Sequence, residues 1–294
     1  MITVIGDRID DLYLHYRATR TSHGRPVVER ERSETQPGGA AATAAMCRAL
    51  GVDAVLVATD AVSLKVRHVV DGAVMFREDF DQQASAAKTV EAMRRAVPGD
   101  LVVLSDYGKG TVSRMVVELA CAWGVPTIVD PYPGVSPGRY RDTSLCCPSW
   151  DTYVGLREEW AAVRPLAVKM DCYGALLITR KTARLYPAVP VKEVDSCGAG
   201  DQWIAALAVS LHNGSTLDEA VRWANLAAAI KCTRRGTEPV RPGELRWIAE
   251  APEPPHAACQ PPDRDDHAHD PGVPPDGSRP PTDIGRAFVE FLQH

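Results

Sequence analysis

Val194-Asp195-Ser196-Cys197-Gly198-Ala199-Gly200-Asp201 runs straight into the apolar stretch Trp203 to Leu211, and the reading of this junction decides the fold. Glycines just ahead of a helix let backbone N–H groups approach an anion, and the helix N-terminus adds a partial positive charge. An acidic residue at that point is out of place for anion binding alone. It makes sense if Asp201 accepts a proton from an attacking hydroxyl while the N–H groups stabilise a transferring phosphoryl group. A capping aspartate after a glycine turn is the other reading of the same residues.

Strand and helix signals alternate on the N-terminal side of this junction. Ile2 to Ile5, Ala54 to Ala58, Ala73 to Phe76, Leu101 to Leu104, Thr127 to Val129 and Ala175 to Thr179 read as strands. Ala40 to Leu50, Ala84 to Ala96 and Val112 to Ala122 read as helices, and Asp201 to Leu211 and Leu217 to Cys232 close the region as two more. Residues 12–35 are polar with β-branched and aromatic residues interspersed, a pattern of exposed strands or a flap. Continuous apolar runs such as Leu101 to Leu104 belong to strands covered on both faces. The alternation predicts an α/β fold with a mostly parallel sheet and helices on both faces. Ligands bind such sheets at the carboxyl ends of the strands. That rule directs attention to Asp7, Asp10 and Asp11, and to Ser105-Asp106-Tyr107-Gly108-Lys109-Gly110.

Composition sets the outer limits. The chain has 294 residues, 45% hydrophobic and 24% charged, with a formal net charge of -5. That is an ordinary globular composition, and the acidic balance without a basic run argues against nucleic acid or an anionic membrane as partner. No apolar run has the length of a membrane span or a signal peptide. Eight scattered cysteines without a C-x-x-C pair read as unpaired thiols of a cytoplasmic protein. Residues 252–283 hold 10 of the 23 prolines and one large aliphatic residue, Val273, which predicts a disordered linker. Ile284, Phe288, Phe291 and Leu292 then recur at helical spacing and predict a short helix over 284–294. The chain lacks both G-x-x-x-x-G-K-[ST] and G-x-G-x-x-G.

The run Asp195 to Asp201 resembles the signature of the PfkB (ribokinase-like) family of small-molecule kinases. Supporting segments are Gly6-Asp7 with Asp11 and Tyr13, Pro37-Gly38-Gly39-Ala40-Ala41, Lys65-Val-Arg67, Arg77-Glu-Asp79-Phe80 and Ala224-Asn225 followed by Gly236-Thr237. The loop Asp106-Tyr107-Gly108-Lys109-Gly110 makes the chain most similar, within that family, to kinases of D-glycero-D-manno-heptose 7-phosphate. The resemblance covers roughly residues 1–248. It implies a kinase domain over 1–250 with a small β flap within about 12–36 and 63–80.

By the same resemblance Asp201 is the catalytic base, and Gly198, Ala199 and Gly200 form the anion hole. Asp11, Gly38, Gly39, Lys65, Arg67, Asp106 and Lys109 face the sugar phosphate, while Asn225 and Gly236 lie by the nucleotide. ATP and Mg²⁺ are implied, with Asp151 the one carboxylate left for Mg²⁺. Asp195 is implied to help hold a monovalent cation, potassium, beside the anion hole. A homodimer is the implied assembly, with no nucleic-acid or membrane partner.

The departures from the family pattern are specific. Ala42 stands where an Asn usually meets the sugar. The Asn-x-x-Glu that organises Mg²⁺ falls on Ser149 to Thr152, and Asp171 brings a carboxylate to the Leu-Gly-x-x-Gly turn. Between Asp60 and Ser63 a helix and sheet strands of the usual fold are absent. The leading expectation is ATP-dependent phosphorylation of a sugar or sugar phosphate, a heptose 7-phosphate at its anomeric hydroxyl. The alternatives are a weak or inactive homologue acting as a sugar-phosphate binder, and a kinase for another acceptor such as a nucleoside.

Overall fold

Ile2–Gly6 is buried along its whole length, as expected of a strand covered on both faces, and forms β1 of the main sheet, next to its edge strand. The computed structural model describes residues 1–163 and 165–249. The stretch 252–283 and the helix expected over 284–294 lie outside the described residues. After β1 come β2 (Arg8–Ser22), β3 (Arg25–Gly38), α1 (Gly39–Ala49), β4 (Ala54–Val57), β5 (Val62–Val70) and β6 (Ala73–Phe80). Next are α2 (Ala86–Arg95), β7 (Leu101–Ser105), α3 (Arg114–Ala122), β8 (Thr127–Asp130), β9 (Leu145–Cys146), α4 (Trp150–Gly155) and α5 (Arg157–Trp160). The described part ends with β10 (Leu166–Lys169), β11 (Ala175–Ile178), β12 (Ala183–Tyr186), α6 (Ala199–His212), α7 (Leu217–Cys232) and α8 (Pro242–Ala249).

The eight-stranded sheet has the order β12-β11-β10-β9-β8-β7-β1-β4. It is parallel from β4 through β10 and antiparallel at β11 and β12. Ile2, Val4, Leu101 and Val103 share one buried cluster with Ala42, Ala44, Ile204, Ala205 and Ala208. Alanines on α1 and α6 thus let both helices approach the sheet closely. Val102 and Leu104 are equally buried but outside that cluster. The two-residue strand period puts them on the opposite face, which is therefore covered as well.

The flap is a second sheet, β3-β2-β5-β6. β2 pairs parallel with β5, matching Tyr13 to Arg67, and antiparallel with β3. Along β2 the buried residues alternate as Ile9, Asp11 and Tyr13, so one face of the flap is turned inward. β6 is exposed throughout. The chain passes from β4 at the sheet edge into β5 through residues 58–61 alone.

Candidate active site

The ends of β1, β7, β8 and β10 and the start of α6 converge on one site. Gly198 takes a left-handed conformation, φ +75°, and caps α6, so Asp201 falls in the first helical turn. The helix begins at Ala199, two residues before the position expected from the apolar pattern. Asp201 is buried, and its Oδ1 accepts hydrogen bonds from the Tyr107 hydroxyl at 2.6 Å and the Thr43 hydroxyl at 3.3 Å. Burial pushes its pKa up to about 6, against the pull of the Tyr107 hydrogen bond and of the Lys169 charge. Such a carboxylate is a base poised close to neutral pH.

Lys169, the last residue of β10, ion-pairs with Asp130, the last residue of β8, at 2.5 Å. Its ammonium stands 3.8 Å from where a Cβ on Gly200 would lie. A fixed positive charge is therefore set beside the glycine turn. Burial raises the pKa of Asp130, and Lys169 opposes the shift.

The loop after β7 is built around Asp7. Its buried carboxylate accepts backbone N–H bonds from Tyr107, Lys109 and Thr111 at 2.8, 3.0 and 3.0 Å. These bonds aim the Tyr107 ring at Asp201. Asp106 is turned into the protein, accepting from Gly108 N–H at 2.8 Å and from the Tyr140 hydroxyl at 2.7 Å. Lys109 is ion-paired with Asp81. Lys65 stands over the Tyr107 ring, 5.4 Å from its centroid.

Asp11, which is buried, forms an ion pair with the half-buried Arg67. Arg67 also donates to the Cys197 thiol at 3.2 Å and stacks over Tyr13, which binds the flap to the loop before the glycine turn. A side chain on Gly38 would collide with the Asp11 carboxylate. Gly39, at φ +55°, turns the chain into α1, and the next residue, Ala40, hydrogen-bonds the Asp7 carbonyl at 3.1 Å.

The structure therefore brings Asp201, Gly198, Ala199, Gly200, Asp11, Gly38, Gly39, Lys65 and Arg67 to one cleft. Lys109 and Asp106 border it, each already paired within the protein. Of the residues expected by the nucleotide, Asn225 lies on α7 and Gly236 in the loop after it. Asn225 is buried, accepting from Trp203 Nε1 at 2.8 Å and donating to the Tyr186 and Pro187 carbonyls. Gly236 N–H donates to Asp195 at 2.8 Å. Asp151 is exposed in the first turn of α4, where Ser149 and Thr152 hydrogen-bond each other at 2.8 Å. No group of three His, Cys, Asp or Glu suited to a metal ion exists among the described residues.

Sequence reasoning did not assign Tyr107, Thr43, Asp130 or Lys169. Two of these were within reach: Asp130 and Lys169 end parallel strands, at the carboxyl ends where ligands bind. Thr43 lies one turn into α1, and only the packing of α1 on α6 reveals it.

Comparison with known proteins agrees with this arrangement. The pfkB family carbohydrate kinase profile matches residues 157–242. The bifunctional protein HldE of Aeromonas hydrophila is 32% identical over 297 residues, covering 83% of this chain and 62% of the relative. HldE of Ectopseudomonas mendocina is 32% identical over 306 residues, covering 86% of this chain and 64% of its own. The chain thus spans less than two thirds of the curated relatives it matches. Among solved structures, Arabidopsis thaliana ribokinase complexed with ribose and ATP matches with a TM-score of 0.63 and 18% identity, covering 85% of this chain and 99% of the ribokinase. Burkholderia thailandensis nucleoside kinase in ligand-free form matches with 0.68 and 16%, covering 84% and 99%. The fold is ribokinase-like. With the glycine turn and the buried aspartate on the page, residues 157–242 match the pfkB family of carbohydrate kinases, and the chain is similar to the HldE proteins.

Proposed function

We propose that this protein transfers the γ-phosphoryl group of ATP to a hydroxyl of a sugar phosphate, with a heptose 7-phosphate at its anomeric hydroxyl as the acceptor. The observation that carries this reading is Asp201, buried in the first turn of α6 behind a left-handed glycine, with its pKa pushed up to about 6. Asp201 takes the proton of the attacking hydroxyl. At the start of α6 the Ala199 N–H already donates to the Ser196 carbonyl at 3.0 Å, so the Gly200 and Asp201 N–H groups are the ones that meet the transferring phosphoryl oxygens. Lys169 faces the same oxygens and offsets their charge. Lys65, Arg67 and Lys109 give the acceptor side of the cleft a basic lining suited to a sugar phosphate. Asp11 and the close approach allowed by Gly38 suit the sugar hydroxyls.

Mg²⁺ does not fit the residues present as a protein-held ion. Ser149 and Thr152 satisfy each other, Asp151 is exposed, and Asp130 is held by Lys169. Lys169 is the cation the chain itself supplies beside the glycine turn.

A second reading is a sugar-phosphate binder with little turnover. It is favoured by one observation: Oδ1 of the base is already occupied by Tyr107 and Thr43. Turnover measured with ATP and a panel of heptose, hexose and pentose phosphates and nucleosides separates the readings. Phosphorylation of a heptose 7-phosphate, abolished by Asp201→Asn, supports the kinase. Binding without turnover supports the second reading, and turnover only on a nucleoside overturns the acceptor assignment.

A further inference from the structure

The loop that leads into the glycine turn is closed from behind by a buried lysine. Lys231, in the last turn of α7, has no solvent exposure. Its ammonium donates to the Asp195 carbonyl at 3.0 Å and to the Arg234 carbonyl at 3.2 Å. Backbone bonds clamp the same two segments together, since Val194 and Asp195 N–H both donate to the Cys232 carbonyl, at 2.8 and 3.1 Å. The Asp195 carboxylate bridges them again, accepting from Cys197 N–H at 2.9 Å and from Gly236 N–H at 2.8 Å. Residues 194–197 and 232–237 thus form one electronegative cradle directly before Gly198.

A cradle of inward carbonyls and a carboxylate requires a cation, because unpaired buried oxygens and an uncompensated buried charge are costly. The family resemblance implies a monovalent ion held with the help of Asp195. The residues present do not fit such an ion in addition. The Lys231 ammonium already sits 3.0 and 3.2 Å from the Asp195 and Arg234 carbonyls and repels a second cation there, and each carboxylate oxygen of Asp195 already accepts an N–H bond. Burial lowers the Lys231 pKa from the ordinary lysine value, and the neighbouring Asp195 charge opposes that shift.

We propose that the Lys231 ammonium is the resident cation of this loop and takes the place of a bound potassium ion. An alkylammonium head resembles potassium in charge and size, and here it is covalently tethered. No ion has to be captured from solution, so the geometry ahead of the glycine turn does not depend on the salt present. The functional half of this inference rests on the kinase reading above; the structural half does not.

The experiment uses the purified full chain, exchanged into potassium, sodium or tetramethylammonium chloride at matched ionic strength. Thermal unfolding is followed in each salt, with ATP turnover measured in parallel. The wild-type protein should show the same unfolding midpoint and the same rate in all three. A potassium-specific rise in either quantity overturns the proposal. Lys231→Ala opens the cradle, and its midpoint should fall and then climb with potassium concentration, as binding to the folded state requires, but not with tetramethylammonium. A folded alanine variant that potassium does not restore overturns the surrogate role. If that variant does not fold, Lys231→Gln, close in length but uncharged, replaces it with the same expected response to potassium. Loss of all turnover on every acceptor refutes the kinase reading and leaves the unfolding comparison to decide this inference alone.

Discussion

The Tyr107 hydroxyl donates a 2.6 Å hydrogen bond to Oδ1 of Asp201, linking the loop after β7 to the first turn of α6. Burial raises the Asp201 pKa and this bond lowers it, so the value of about 6 is a balance of the two. Proton abstraction needs the ionised form. The rate should therefore fall as pH drops through about 6.

Tyr107→Phe removes the lowering influence and leaves the burial. The acid limb of kcat should then move to higher pH, with the plateau rate reached only in mildly alkaline buffer. The check is a pH–rate profile of wild type and variant side by side. A limb near the ordinary aspartate value of 3.8 in both proteins would refute the assignment of the base.

The same balance predicts a trade between activity and stability at Asp201. Its folded pKa of about 6 lies above the ordinary aspartate value of 3.8, so the folded protein holds the proton more tightly than the unfolded chain does. Stability is then greatest below the lower value and declines as pH rises through the window between the two. Each tenfold gain in proton affinity corresponds to about 1.4 kcal/mol, so about 2–3 kcal/mol is lost at neutral pH. Asp201→Asn should abolish this loss while cutting kcat by about 10² to 10⁴. Its melting temperature should exceed that of wild type at pH 8 by more than at pH 5. Equal margins at both pH values would show that burial does not tighten the hold of this carboxylate on its proton.

Lys169 and Asp130 call for a pair of variants. Lys169→Met leaves Asp130 with only its burial, and should cost about 1–3 kcal/mol of stability, below the full value for a deeply buried pair because both side chains are 17% exposed. If Lys169 meets the transferring phosphoryl group, kcat should also drop by about 10² or more. Adding Asp130→Asn removes the stranded carboxylate. The double variant should regain stability without regaining the rate. Recovery of both would reduce Lys169 to a structural partner of Asp130.

What is legible in the sequence alone depends on where the signals are local. The strands β1, β7 and β11 are buried on both faces, so their apolar runs announce them. The junction at Gly198 needs a backbone that only glycine adopts easily, and the chain shows it there. β2 and β3 are polar strands whose pairing is decided by one another, and they read only as a flap without a defined register, whereas the apolar start of β6 at Ala73 to Phe76 reads as a strand. β12 was missed because three of its four residues are exposed. The roles of Lys231, Asn225 and Asp7 rest partly on bonds that reach 36, 39 and 104 positions along the chain, and no local pattern announces these. Asp106 and Asp7 look alike as acids at strand ends. Only packing shows that one faces Tyr140 and the other collects three N–H groups of a loop.

The glycine turn itself offers the last test. Gly198 holds φ +75°, and a Cβ there would lie 3.0 Å from Thr237 Cγ2 and 3.5 Å from the Met46 methyl. Thr237 cannot retreat freely, since its hydroxyl donates to the Pro37 carbonyl at 3.0 Å and its N–H bonds Gln36. Gly198→Ala therefore combines left-handed strain of about 1–2 kcal/mol with a tight contact, and should lower the melting temperature. The strain falls on the residue that sets the N–H groups of α6. The loss should accordingly appear in kcat more than in the KM of the acceptor. Gly155 closes α4 with open space around its Cα, and its φ is not in the left-handed range. Gly155→Ala should leave both stability and rate within a few tenths of a kcal/mol of wild type or slightly improve stability. Matched melting curves and Michaelis kinetics on the two variants check the contrast, and an active, stable Gly198→Ala protein would sink the role given to the turn.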